Sequence, residues 1–400
     1  MNINKRLIPL LSILFILLAV PINSSCSHKN ESDVKNVVKT ELDQLKNLDS
    51  ETTQKYIPYT ELFPDATENT DLSDEITETF SLFFRKFDYK ISDVSISAEN
   101  NSATVSVKLT TISSQTLARD FKTELLQTQI TEAAQAQTGS TKDSSRSLEA
   151  HYLILNHLLN TNEYDTAETD CSIQLVNTGN NKEEKWKIQR TNSLEDDLVG
   201  GLIADLADPD ILSPEDTLTV YLDTLEKLDL KEMSSYLGVV NIMNTSDSSK
   251  NSIAAALAEQ IHKNFRYVIK SSSENGYNAT VTTQITTFDS DSILSEYQSE
   301  LDKYLTSADA VIGGSQKRYE KSLEILLDCI SKNTAVTVND VAFVFINDGV
   351  SWKLQDEGST LGNAIFGNLT DSPLDNPDNN NKKTILTSAD LQTARCKNGF

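Results

Sequence analysis

Histidine and cysteine are scarce, at four residues each in 400, tryptophan occurs twice, and bases are outnumbered by acids, 35 to 59. Each shortage closes off a chemistry. His28, His151, His157 and His262 share no ligand spacing and make no HExxH pair, so neither a metal nor a cofactor is expected. Cys26, Cys171, Cys329 and Cys396 include no CxxC, and Cys171 and Cys329 read as unpaired buried thiols in unrelated elements rather than a disulfide framework. Gly313 and Gly314 read as a loop, but no GxGxxG, phosphate loop or GxSxG elbow follows a strand. The Asp- and Asn-rich stretch at 375–383 lacks the alternating acids of a calcium loop. A formal charge of −24 repels phosphate backbones and anionic headgroups, which excludes nucleic acid as a partner.

What the chain does have begins with an export signal. Lys5 and Arg6 precede an apolar stretch from Leu7 to Val20, shorter than the roughly 20 residues of a permanent span. The sequence Asn23, Ser24, Ser25, Cys26 follows. Small residues before a lone cysteine at this distance resemble the lipobox of bacterial lipoproteins, although that family prefers Leu, Val or Ile where Asn23 stands. The resemblance implies cleavage, acylation of Cys26 and anchoring to the outer face of the cell membrane, with 1–25 as signal peptide and 26–32 as a polar tether. Cleavage with release is the alternative.

The chain also says the same thing twice. LDQLKNLD at 42–49 returns as LDTLEKLD at 222–229, ATVSVKLTTI at 103–112 as ATVTTQITTF at 279–288, and KWKIQ at 185–189 as SWKLQ at 351–355. The spacing is 180 residues at Tyr56 and Tyr236, 178 at Tyr89 and Tyr267, 176 at Val105 and Val281, 166 at Trp186 and Trp352, and 163 at Leu206 and Leu369. A steady shrinkage confined to the gaps between matched blocks places helices and strands in the blocks and loops in the gaps.

Each unit opens with an amphipathic helix, Val38, Leu42, Leu45 and Leu48 in one and Leu218, Leu222, Leu225 and Leu228 in the other. Ser213, Pro214, Glu215 and Asp216 supply a helix start for the second. Asp49 and Asp229 read as caps of a following helix, and a third helix is expected near 76–87 and 253–265. Alternation at Val94, Ile96, Ala98 and Ala103, Val105, Val107, Leu109 predicts a hairpin; in the second copy Asn275 and Gly276 are expected to provide two positive φ angles at its turn. A long helix follows, with Ala118, Phe121 and Leu125 answering Leu294, Tyr297 and Leu301, then a helix at 148–159 or 319–330. A second hairpin, 173–176 with 186–188 or 341–346 with 352–354, and a short closing helix, 198–206 or 361–369, end the unit.

The expected fold is α+β: two homologous domains, 33–208 and 209–371, each with helices on a curved antiparallel sheet, followed by a disordered polar tail at 372–400. Over roughly 33–371 this order resembles the cone-shaped domains of the cystatin and nuclear-transport-factor-two-like superfamily, and tandem domains of unknown function in Gram-positive lipoproteins. The resemblance implies a small hydrophobic ligand at the mouth of a cone, which makes the echoed aromatics Tyr56, Trp186, Tyr236 and Trp352 candidate ligand contacts; large core residues are the competing reading. Some relatives use an aspartate as general base, a role open to Asp49 and Asp229. No catalytic residue is nominated, and a non-catalytic binding module for a small molecule, a peptide or an envelope protein is the leading expectation. The alternatives are an isomerase or hydrolase in one cone, which would need a pocket of about 300 Å³ or more holding a carboxylate beside a tyrosine, and a structural assembly factor.

Overall fold

The computed structural model describes residues 24–48, 62–64, 66, 73–97, 99, 101–136, 147–179, 185–230, 232, 233, 248–355 and 357–370. Asp49, Tyr56, Tyr236, Cys396, the signal segment before Ser24 and the tail at 372–400 lie outside the described residues.

The first half runs α1 (Ser24–Lys46), α2 (Ser73–Phe84), β1 (Asp88–Ser97), β2 (Ser102–Ile112), α3 (Ser114–Ala136), α4 (Leu148–Thr161), β3 (Thr166–Asn177), β4 (Trp186–Ile188), α5 (Asn192–Leu198) and α6 (Leu202–Ala207). The second repeats it with α7 (Pro214–Lys227), α8 (Ser248–Asn264), β5 (Arg266–Asn275), β6 (Asn278–Phe288), α9 (Ser290–Leu305), α10 (Ala308–Lys332), β7 (Val336–Asn347), β8 (Trp352–Leu354) and α11 (Glu357–Phe366), closed by a 3₁₀ turn at Gly367–Thr370. Each half builds one antiparallel sheet, in the orders β1-β2-β3-β4 and β5-β6-β7-β8, so the chain is two α+β domains of one topology.

Period-two alternation sets which sheet face meets the helices. Ala103, Val105, Val107 and Leu109 of β2 turn inward beside Cys171, Ile173 and Leu175 of β3, while serine and threonine face out. β6 does the same with Ala279, Val281 and Ile285. Val34, Val38, Leu42 and Leu45 bury the stripe of α1, and Leu218, Leu222 and Leu225 that of α7, which starts as read: Ser213 Oγ accepts the Asp216 N–H at 3.0 Å. Edge strands β1 and β5 carry a bulge at the same repeat position, between Ile91 and Asp93 and between Ile269 and Ser271, which twists each free edge away from further pairing.

Four details depart from the sequence reading. The stretch 26–32 is helical, because the apolar stripe of α1 already begins at Val34 and the helix extends back to Ser24. At the second hairpin turn, Asn275 still pairs with Asn278, so Gly276 and Tyr277 form the loop and the positive φ of 62° belongs to Gly276 alone, as type II′ geometry requires. The first closing helix is broken into α5 and α6 at Gly200 and Gly201, both left-handed. Gly313 and Gly314 lie within α10, which bends at Gly314 with φ 70°.

The largest departure is α3. Its counterpart α9 ends at Leu305, whose repeat partner is residue 129, yet α3 continues to Ala136. Leu117, Ala118 and Phe121 sit in the first core; Ile130 and Ala134 sit in the second. At 100° per residue, Leu117, Phe121 and Leu125 lie on one side of the helix and Leu126, Ile130 and Ala134 on the other. The domains therefore share a helix. Arg119 to Asp216 at 2.7 Å and Gln135 Nε2 donating to Glu232 Oε1 at 2.7 Å add polar ties along it.

Candidate functional site

The shared helix leaves a cavity of about 160 Å³ between the domains. Phe121, Lys122 and Leu125 come from α3, His151 from α4, and Ile203, Leu206 and Ala207 from α6; Leu62, Phe63, Pro64 and Ala66 close one side. The second domain contributes Gly349 and Val350 of the β7–β8 turn. That turn is held rigidly. Asn347 Oδ1 accepts the Gly349 N–H and Asp348 Oδ1 accepts those of Val350 and Ser351, all at 2.9 Å, and Gly349 has φ 87°. Linker residue Asp210 then clamps it, its Oδ1 accepting from Asn347 Nδ2 and Trp352 Nε1 at 2.9 Å each.

The cavity wall is aromatic and aliphatic. Phe63 stacks on Phe121 with ring centroids 5.0 Å apart, and the His151 ring lies 5.0 Å from Phe63 and 5.6 Å from Phe121. Lys122 and His151 are the titratable groups in the described lining, which holds neither a carboxylate nor a tyrosine. The volume compares with the roughly 150 Å³ apolar cavity that accepts benzene, and is below the ~300–1,000 Å³ of pockets that take drug-sized ligands. Such a space accepts one ring or one branched side chain, with N–H donors at its wall for an acceptor group.

Trp186 and Trp352 open the short strands β4 and β8 and are buried in their cores at 8 % and 4 % exposure; neither is among the lining residues of the cavity. The other two echoed aromatics, Tyr56 and Tyr236, are outside the described residues, so the four are not seen together. Cys26 falls in the first turn of α1. Asp229 is a cap: it accepts the Glu232 N–H at 2.7 Å while Glu232 Oε2 accepts the Asp229 N–H at 3.2 Å, a reciprocal capping box. Among the described residues no cluster of three His, Cys, Asp or Glu could hold a metal ion, and no helix is long and apolar enough to cross a membrane.

One echoed pair went unread in the sequence. Tyr89 donates to Asp43 Oδ1 at 2.5 Å, and Tyr267 donates to Asp223 Oδ1, both pairs tying an opening helix to an edge strand. Burial, then the adjacent carboxylate, lifts both tyrosine hydroxyls above their ordinary range. The signal was available, since Asp43 and Asp223 are identical within the first echoed octapeptide. Cys171 and Cys329 are free and buried; burial pushes their thiols up to about 12 and about 11, which makes them inert rather than nucleophilic.

No family model matches the chain, and no curated protein matches it. A crystal structure of the Bacillus subtilis protein ycdA, a provisionally assigned lipoprotein, is similar over 70 % of this chain and 96 % of its own, at 11 % identity and a TM-score of 0.29. A likeness that weak carries no argument about fold or function.

Proposed function

We propose that the chain is an exported lipoprotein, held at the outer face of the cell membrane through Cys26, and that it serves there as a non-catalytic binding module. The cavity between the domains carries this reading: both domains supply its walls, and it is apolar apart from Lys122 and His151. The ligand chemistry that fits is a small apolar body bearing an acid, either a free monocarboxylate or the acidic end of a peptide. In a chain of charge −24 an anion is repelled at long range, so its binding depends on cations placed at the site. Lys122 has three donors, enough to bind an acid besides any internal partner. On this reading the cystatin-like and transport-factor-like resemblance concerns the scaffold alone. The inward sheet faces are filled by Val105, Leu109, Val281 and Phe343, so the ligand sits between the domains instead of within a cone.

The test titrates benzoate, benzyl alcohol and a short peptide ending in phenylalanine against residues 24–400, which retain every described element. A nine-atom acid in such a site should bind with Kd on the order of 0.1 mM, near −5.5 kcal/mol. Leu206→Trp, which fills the cavity, should abolish binding. Benzoate favoured tenfold over the alcohol supports the charge assignment, and the peptide result separates free acid from peptide end. No binding by any of the three, or turnover of a substrate lost through a single lining substitution, contradicts the proposal.

A further inference from the structure

We propose that the outer edge of β7, residues 336–342, takes an extended cationic segment of a partner protein as an added antiparallel strand. Along a strand the backbone N–H and C=O groups of successive residues point to opposite sides. Ala335 O accepts the Asp289 N–H, and the Asn347 N–H donates to Tyr277 O, so the odd-numbered residues of β7 turn these groups toward β6. The even-numbered residues turn them away, as Val344 shows by accepting the Gln355 N–H at 2.7 Å beside β8. β8 pairs only with 345–347, which leaves the groups of Val336, Val338, Asp340 and Ala342 directed at an open edge. These four residues are exposed, and so is Asn339 on the inward side, so the helix layer stops short of this end of the strand.

The described strands have four such long edges, and three are guarded. β1 and β5 carry their bulges. On β3 the equivalent residues are Thr166, Glu168, Asp170 and Ser172, two of them charged. Their repeat partners on β7, 170 residues on, are Val336, Val338, Asp340 and Ala342, of which only Asp340 is charged. No register shift interrupts β7 against β6, and the run holds no proline. A straight edge of seven residues, about 24 Å long, with two β-branched side chains is the form to which peptide strands add, main-chain bonds supplying affinity and alternate side chains supplying selectivity.

Charge defines the segment. In the first sheet Lys108 stands opposite Asp170 and bridges Glu168 at 3.1 Å, and Lys90 pairs beside it on β1, so two lysines balance two acids. In the second sheet Asp340 remains, but Gln284 and Val268 stand where the lysines were. Gln284 Nε2 reaches Asp340 Oδ1 only at 3.4 Å, and among the described residues no cation pairs with that carboxylate. A partner that places Lys or Arg opposite Asp340, with branched apolar residues opposite Val338 and Val336, completes the cross-strand pairs. The chain's charge of −24 draws such a segment in and repels a second copy.

The probe is the peptide Thr-Thr-Lys-Thr-Val-Thr-Val with both ends blocked, whose lysine falls opposite Asp340 and whose valines fall opposite Val338 and Val336. It carries no acid for the cavity. Titrated against residues 24–400 with a dye on the peptide, it should bind saturably and slow amide exchange in 336–344. Glutamate in place of the lysine should weaken binding at least ~5-fold at low salt. Methylating the backbone nitrogens of the lysine and of the valine opposite Val338, both of which face β7, should abolish binding with the side chains unchanged. Val338→Glu, which restores the first copy's residue, should abolish it too, and Asp340→Asn should remove the preference for lysine. The proposal is overturned by no saturation up to ~5 mM, by equal binding of the methylated peptide, or by protection elsewhere. Exchange in 336–344 that slows with protein concentration alone would make a second copy the occupant and also overturn it. If Val338→Glu loses cooperative unfolding, the peptide series on the parent chain decides.

Discussion

Ile130 belongs by sequence to the first repeat and by packing to the second, so its truncation should destabilise a domain to which it is not covalently local. It is 3 % exposed among second-domain side chains. Replacing it with alanine removes three methyl or methylene groups at ~0.8 kcal/mol each, and the unfilled space adds to that, for a loss of about 3 kcal/mol. With a urea slope of about 3 kcal/mol/M the midpoint falls by about 1 M. The two tryptophans make the readout domain-specific, since Trp186 is in the first core and Trp352 in the second. In Trp186→Phe, the Trp352 fluorescence should report the full shift on Ile130→Ala. Because α3 spans both cores, both tryptophans should report coincident transitions in the otherwise unaltered chain. A Trp352 midpoint unmoved by Ile130→Ala would show that the domains are independent and refute the shared-helix reasoning.

Three more outcomes are expected. Tyr89→Phe and Tyr267→Phe should each cost about 0.5–1 kcal/mol, the value of a half-exposed hydrogen bond to a carboxylate. Because their hydroxyls are raised in the folded state, that contribution is complete below pH 10 and is lost as pH rises through and beyond the ordinary tyrosine range; denaturation midpoints from pH 8 to 12 should fall less steeply in the double variant. In the native protein Cys171 and Cys329 should fail to react with a thiol reagent at pH 8 and become reactive on unfolding; rapid native labelling of either would contradict their burial. Mass analysis of the membrane fraction should find a chain beginning at acylated Cys26, and membrane retention of Cys26→Ala would remove the anchor from the account.

The architecture was legible where pattern and repetition coincided. Val105 and Val281, or Leu42 and Leu222, keep both their periodicity and their echo, and the two hairpins of each unit follow. Strand lengths were not, because β1 and β3 begin with polar, outward residues, Asp88 and Thr166, that carry no alternation of their own. α3 defeated a single-face reading, since its apolar side rotates between Leu125 and Leu126 to serve two cores. The cavity was illegible for a related reason: Phe121, His151, Leu206 and Val350 are distant in sequence and each follows the ordinary pattern of its own element. The first domain's fold gathers Phe121, His151 and Leu206, and only docking against the second domain adds Val350.

The central claim, that a small acid binds between the domains, is tested most directly by crystals of residues 24–400 grown with 4-bromobenzoate and measured at the bromine edge. The account predicts an anomalous peak between Leu125, Leu206 and Val350, with the carboxylate directed to Lys122 and His151. A bromine peak inside either sheet's core, or none in the cavity at a concentration where titration shows saturation, would contradict it.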